Sequence, residues 1–213
     1  MIMKLEELNK VKNFTYTEYV KYLQEKYGLS KTAYFTEGWS PIVKTKRTKE
    51  GLFVHHVKED CEIMLGNVNY AKKQPYEYQL PENLVYCDYL EHLLLHILIV
   101  KYPGKSQNPL TMPGIGGIIN FLIPELNDYY SGYPIKQAWK QTVFDKVKDD
   151  LDAYLELLRI FVETYNSNLL VNIALGDAQQ YLCTSASANY GAWSHESNEA
   201  LYVKIMNTVK DLL

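Results

Sequence analysis

The chain lacks the features by which several functional classes declare themselves. Its 213 residues contain no apolar run of 18 or more, and the greasiest stretch, Leu93 to Val100, is interrupted by His96 and closed by Lys101. No membrane-spanning helix is therefore expected. The opening MIMKLEELNKVKN alternates charges and has no apolar core ending in a small-residue cleavage site, so no secretory signal is visible and a cytoplasmic location is expected. Cysteine is scarce: Cys61, Cys87 and Cys183 are an odd number without CxxC spacing, which argues against a disulfide framework and a cysteine zinc ribbon. They read as reduced, partly buried thiols. No internal repeat is present, and the glycine-rich PGIGG at 113–117 lacks the Lys-Ser/Thr of a phosphate loop, so it reads as a turn. Neither sign of charge dominates, with a net charge of −3. That average conceals an asymmetry: residues 1–105 hold 15 Lys+Arg against 13 Asp+Glu, whereas 106–213 hold 7 against 12.

Histidine is also sparse, yet four of the five are concentrated in two short segments, GLFVHHVKED (His55, His56) and NLVYCDYLEHLLLH (His92, His96). The second segment reads as a helix from about Tyr89 to Lys101. Asp88 and Glu91 stand three apart as a capping box at its start, and YPG stops it. His92 and His96, at i and i+4, then project from one face, one turn apart. GLFVHHV reads as the second of two short β segments joined by the charged turn KTKRTKEG. Residues 60–82 lack a clean period and read as a loop or insertion with a short helix at best, and NLVY as a brief extended piece.

Elsewhere the periodicity is helical. Tyr16, Tyr19, Val20, Leu23 and Tyr27 mark an amphipathic helix closed by Gly28. A long pattern after Pro134 places Trp139, Val143, Val147, Leu151, Tyr154, Leu158 and Phe161 on one stripe, read as core. Shorter helices are expected over 118–130, 169–181 and 198–213.

Two histidines at i and i+4 can reach one divalent ion, because imidazole nitrogens bind at about 2 Å and converge from adjacent turns. The same spacing also suits two hydrogen-bonded core histidines. A metalloprotease needs Glu directly after the first histidine, and Leu93 occupies that place. The His55-His56 pair adds a division of labour: neighbours on a strand face opposite sides, so one can ligate while the other faces substrate. A neutral imidazole suits the removal of a proton from water near neutrality.

These residues resemble the HNH, or ββα-metal (His-Me finger), endonucleases, with the spacing of the colicin-like subset and of phage enzymes. The pattern is a His-His or Asp-His pair on a β-hairpin, then an Asn, then histidines nine and thirteen residues beyond it. Here VHHV is followed by ENLVYCDYLEHLLLH, in which His92 and His96 stand at those offsets from Asn83. The resemblance covers residues 51–103. It implies that His55, His92 and His96 hold one divalent ion (Mg, Mn, Ni or Zn). It further implies that His56 is the general base for DNA hydrolysis, leaving a 5′ phosphate and a 3′ hydroxyl, and that Asn83 pins the loop and orients His56. The separation of 27 residues between His56 and Asn83 exceeds that of compact members, and the structural CxxC pair of many members is missing, so packing by flanking helices must replace it.

The fold expected is α+β: a small ββα-metal motif (51–103) embedded in a mainly α-helical protein, between an N-terminal helix and basic hairpin (1–50) and a C-terminal helical region (104–213), together one compact unit. Lys44, Lys46, Arg47 and Lys49 in the charged turn are candidates for phosphate contact, with a solvated turn as the plain alternative; Lys72 and Lys73 in the insertion are further candidates. Glu59 and Asp60 could add a ligand, though a solvated turn is the simpler reading, and His195 reads as a loop residue. A metal-dependent DNA endonuclease of HNH type is the leading expectation, the resemblance being compatible with a phage, bacterial-defence or mobile-element setting. The alternatives are a non-catalytic metal-clipped interaction module and a phosphodiesterase acting on RNA or a small nucleotide. The helical C-terminal region leaves room for self-association or a protein partner.

Overall fold

A computed structural model describes residues 3–105, 112–186 and 196–213, the side chains of 196 and 197 excepted; His195 lies outside the described residues. The elements are α1 (Leu5–Val11), α2 (Tyr16–Tyr27), β1 (Phe53–His56), α3 (Val68–Ala71), β2 (Leu84–Cys87), α4 (Tyr89–Lys101), α5 (Ile115–Gly117), α6 (Ile123–Tyr130), α7 (Ala138–Asp145), α8 (Leu151–Ser167), α9 (Leu169–Leu175), α10 (Gln179–Leu182) and α11 (Glu196–Val209). A π-helical turn, Ile118–Leu122, joins α5 to α6. The protein is thus mainly helical with one small antiparallel β pair, an α+β arrangement. No helix among the described residues is long and apolar enough to cross a membrane.

Helix α4 is the axis of the molecule. Eleven of its 13 residues are buried, which is why its sequence is greasy on all sides rather than striped. It packs against α2, α8, the π turn and both strands, and each of its fully buried leucines contributes ~2 kcal/mol through removal from water. Its start is the expected capping box: Asp88 accepts from the Glu91 amide at 2.8 Å, and Glu91 from the Asp88 amide at 2.7 Å. Asp88 also takes the Met3 amide at 2.8 Å, tying the N-terminal segment to the same corner. Glu91 in turn accepts from Lys26 at 2.6 Å, and Lys26 also pairs with Glu7. Burial works against the Lys26 charge, but the two carboxylates outweigh it and hold the ammonium above the ordinary lysine range.

Immediately before α4, β2 pairs antiparallel with β1 in the register Phe53↔Cys87, Val54↔Tyr86, His55↔Val85, His56↔Leu84. The partner of the histidine strand is therefore LVYC, directly after Asn83. The β segment expected ahead of the charged turn forms instead a 3₁₀ turn at Val43–Thr45 and a single bridge, Phe35↔Pro41. The insertion holds only the one-turn helix α3 and 3₁₀ turns.

Three further expectations are corrected. The long pattern after Pro134 divides into α7 and α8, because residues 146–150 turn through i→i+3 bonds, Val147 to Phe144 at 2.8 Å and Asp150 to Val147 at 3.0 Å. Trp139 leaves the core stripe and is 43% exposed. The 169–181 helix is interrupted at Gly176, whose φ of 76° ends α9. The cysteines are free, as expected, with Cys87 buried.

Candidate metal centre

The ladder sets Phe53 beside the start of α4 and His55 further along, with its ring against His92 and His96 of the helix, and after His56 the chain turns sharply through a 3₁₀ segment, Val57–Asp60. That turn swings Glu59 back over both histidines. The result is a cavity of about 520 Å³ whose walls include His55, His56, Glu59, His92 and His96. One ring nitrogen from each of His55, His92 and His96 falls within 4.8 Å of the other two, a grouping able to hold a metal ion.

The hydrogen bonds say which nitrogens face inward. Tyr16 donates its hydroxyl proton to the Val57 carbonyl at 2.8 Å, so it must accept from His55 Nε2–H at 3.0 Å. His55 Nδ1 then carries a lone pair; it is buried and has no hydrogen-bond partner. His96 donates from Nδ1 to the Gly114 carbonyl at 3.1 Å, leaving the Nε2 lone pair 3.3 Å from His92 Nε2. Outer partners that take the non-ligating N–H and fix ring orientation are the usual support of metal-bound histidine. His92 Nε2 can donate to that lone pair, and its Nδ1, like His55 Nδ1, is then buried without a hydrogen-bond partner, a cost that a bound cation would remove once the ring gives up its Nε2 proton.

Burial drives every one of these imidazoles toward the neutral form. It takes His55 and His92 well below the ordinary histidine range, with the neighbouring histidines adding to the effect. His96 falls to about 4 through burial, against the opposing bond to Gly114. Neutral rings are what ligation requires. Burial pushes Glu59 the other way, up to about 8.

His56 is placed differently. It is 2% exposed, and its Nε2–H donates to Gln79 Oε1 at 3.0 Å, while the Gln79 amide donates to the Leu65 carbonyl at 3.4 Å and so fixes which end of the side chain is the acceptor. Tyr34 packs edge-on to the ring at 4.6 Å. The free lone pair of His56 is thereby on Nδ1, 3.9 Å from Glu59 Oε1. Burial lowers the group to about 4, opposed by the Gln79 bond. Although strand neighbours face opposite ways, both histidines line one cavity because β1 ends at His56 and the 3₁₀ turn folds over it.

Two residues of this site were missed by pattern: Gln79 and Gly117. Gln79 sits in a polar insertion without periodicity, and no local signal marks it as fully buried. Gly117 belongs to the glycine-rich stretch read as a turn. Only Gly114, with φ of 84°, behaves so; Gly117 is helical, and a Cβ there would come within 2.4 Å of the His96 ring. The glycine is what lets α5 lie against the imidazole. Glu59, read as part of a solvated turn, is instead only 19% exposed at its side chain.

Asn83 donates to the Glu77 carbonyl at 2.8 Å and so pins the loop that carries Gln79; the side chain that holds His56 is Gln79, not Asn83. Arg47 is engaged internally, bonded to the Tyr27 carbonyl at 2.8 Å and to Glu50, with its guanidinium 4.7 Å above the Tyr86 ring. Lys44, Lys46 and Lys49 are exposed, and Lys46 lines a second cleft that shares Tyr34 and Val54 with the histidine cavity. Lys72 and Lys73 are exposed after α3, with Lys73 over the Tyr70 ring. No protein-family model, curated protein or solved structure matches the chain.

Proposed function

We propose that this protein is a metal-dependent endonuclease of the HNH type, hydrolysing phosphodiester bonds in DNA. The observation that carries the reading is the asymmetry of the four histidines. Three present ring nitrogens to one another, whereas His56 stands across the same cavity with its Nε2–H held by Gln79 and its Nδ1 lone pair free. A purely structural clip already has three imidazoles and gives His56 no task. The order β1, β2, α4 and the placement of the histidines on the first and third of these elements support the likeness to the ββα-metal nucleases.

In this reading His55, His92 and His96 bind the ion, which when bound supplies positive charge to the phosphoryl oxygens and the departing oxygen. His56 Nδ1 accepts a proton from a water lying between it and the phosphorus. The O–P bond forms as the P–O3′ bond breaks, and the 3′ oxygen takes a proton from solvent, leaving a 5′ phosphate and a 3′ hydroxyl. Gln79 holds His56 in the tautomer with Nδ1 unprotonated, and burial keeps that ring neutral and able to accept. Lys46, at the rim of the adjoining cleft, and its exposed neighbours offer counter-charge to the polyanion.

The test is cleavage of plasmid DNA with Mg²⁺, Mn²⁺, Ni²⁺ or Zn²⁺ by the parent, His56→Ala and His92→Ala. His56→Ala is expected to keep metal affinity and lose activity by about 10²–10⁴-fold, the usual worth of a positioned general base. His92→Ala is expected to lose both. A His56→Ala protein that cuts like the parent would refute the base assignment, and a parent that binds metal but cleaves no nucleic acid would favour the clip.

A further inference from the structure

Two carboxyl side chains line the cavity without a role in the reaction above: Glu62, which accepts from the Gln74 amide at 3.0 Å, and Glu59, which faces the histidines. Glu59 Oε2 lies 3.5 Å from His55 Nδ1 and 3.7 Å from His96 Nε2, while its Oε1 lies 3.9 Å from His56 Nδ1. Four donors bound tetrahedrally at about 2.0–2.2 Å stand roughly 3.3–3.6 Å apart. The Glu59 contacts fall close to that spacing, as does the 3.3 Å between His92 and His96. Among the described residues no Lys or Arg pairs with this carboxyl group; the ring nitrogens near it are those of the neutral His55, His56 and His96. A carboxylate shut among neutral imidazoles is costly unless a cation joins it. The turn that carries it is anchored at its far end, where Gly104 donates to the Asp60 carbonyl at 2.8 Å just after α4, so Glu59 is held over the cavity rather than waving at its mouth.

We propose that Glu59 is an exchangeable fourth ligand that closes the metal centre at rest, so that a phosphate oxygen must displace it before reaction. The inference rests on the metal-centre reading and extends it. The two oxygens of Glu59 lie between the ligand nitrogens and His56, the space that a phosphate and its attacking water need. Carboxylate and substrate are therefore mutually exclusive occupants. Three imidazoles and one carboxylate leave a dication with net charge +1, and an incoming phosphodiester can replace the carboxylate without change in that total.

The test compares parent, Glu59→Gln and Glu59→Ala in Zn²⁺ competition against a chromophoric chelator and in the visible spectrum of the Co²⁺ form. Glu59→Gln, which preserves volume, is expected to bind Zn²⁺ at least about tenfold more weakly, the lower end of what losing even an outer partner of a ligand costs. Its Co²⁺ bands are expected to shift. Inorganic phosphate is expected to perturb the Co²⁺ spectrum of Glu59→Ala at lower concentration than that of the parent. Parent-like affinity and spectrum in Glu59→Gln, or equal phosphate sensitivity, would overturn the proposal. Should Glu59→Gln not fold, Glu59→Asp, which withdraws the carboxylate by one methylene, is expected to show the same loss, and parent-like binding would count against it equally. If His92→Ala abolishes Co²⁺ uptake while Glu59→Gln matches the parent, only this proposal fails; a parent that takes up no Co²⁺ overturns the metal centre as well.

Discussion

Two buried polar clusters meet at the first turn of α4, and they are built on opposite principles. On one side Glu91 closes the capping box and meets Lys26, which also pairs with Glu7. On the other side, one residue along, His92 groups with His55 and His96, and Glu59 lies against the latter two. The first cluster contains its own counter-ion, Lys26, shared between Glu7 and Glu91, although Glu7 Oε2 is buried without a hydrogen-bond partner and burial pushes Glu91 up to about 8. The second holds neutral imidazoles, with the Nδ1 atoms of both His55 and His92 buried without a hydrogen-bond partner, and a carboxyl group, Glu59, that no Lys or Arg among the described residues pairs with. Burial depth is similar, so depth does not distinguish structural from functional polarity. What does is whether the group's needs are met from within.

The comparison predicts opposite signatures on substitution. The largest effect is expected from His92→Leu, which should abolish high-affinity metal uptake, read by Co²⁺ absorption, while leaving the urea midpoint of the metal-free protein near that of the parent. Lys26→Met should do the reverse. Removing one partner of a buried pair costs about 3 kcal/mol or more, read by urea denaturation, with Zn²⁺ affinity unchanged; a Lys26→Met protein with parent-like stability would erase the distinction between the clusters. Next, Gln79→Leu removes the acceptor that fixes the His56 tautomer. Cleavage is expected to fall about 10–100-fold in kcat, with KM and metal affinity little changed and the pH profile displaced; partial rescue by Gln79→Glu, which restores an acceptor, separates positioning from packing. The smallest effect is expected from Gly117→Ala. Its methyl group would press on the His96 ring, and a several-fold loss of Zn²⁺ affinity, at a cost in stability of about 1–3 kcal/mol for overpacking, would show how far the site tolerates displacement of one ligand.

Much of this site could be read in advance wherever the cause is local. The Asp88/Glu91 capping box and the YPG stop bounded α4 correctly, and the four-residue spacing put His92 and His96 on one face. The helical pattern of α2 and its Gly28 end were equally plain. Local reasoning ran out where a second segment decides the outcome. The partner of β1 is β2 and not the segment just before it, because a ladder is chosen by the hydrophobic register available across the gap, not by proximity in sequence. The stripe from Trp139 to Phe161 persists in period across residues 146–150, yet the chain turns there, and Trp139 is left half out of the core. Gln79 looks like any polar loop residue until the loop closes over His56, and Glu59 looks solvated until the turn after β1 folds it inward.

The amino-acid order by itself determined a capped apolar helix bearing two histidines on one face, a short strand ending in two more, and a chain without a long membrane-spanning run, because spacing, caps and composition act within a few residues. Tertiary structure alone decided which nitrogens face one another, that Gln79 rather than Asn83 holds His56, that Glu59 enters the cavity, and that Gly117 makes room for His96. Those outcomes depend on distances of about 3 Å between segments far apart in the chain, where neutral lone pairs, a displaced methyl group and a buried carboxylate acquire their cost or their use only once water has been excluded.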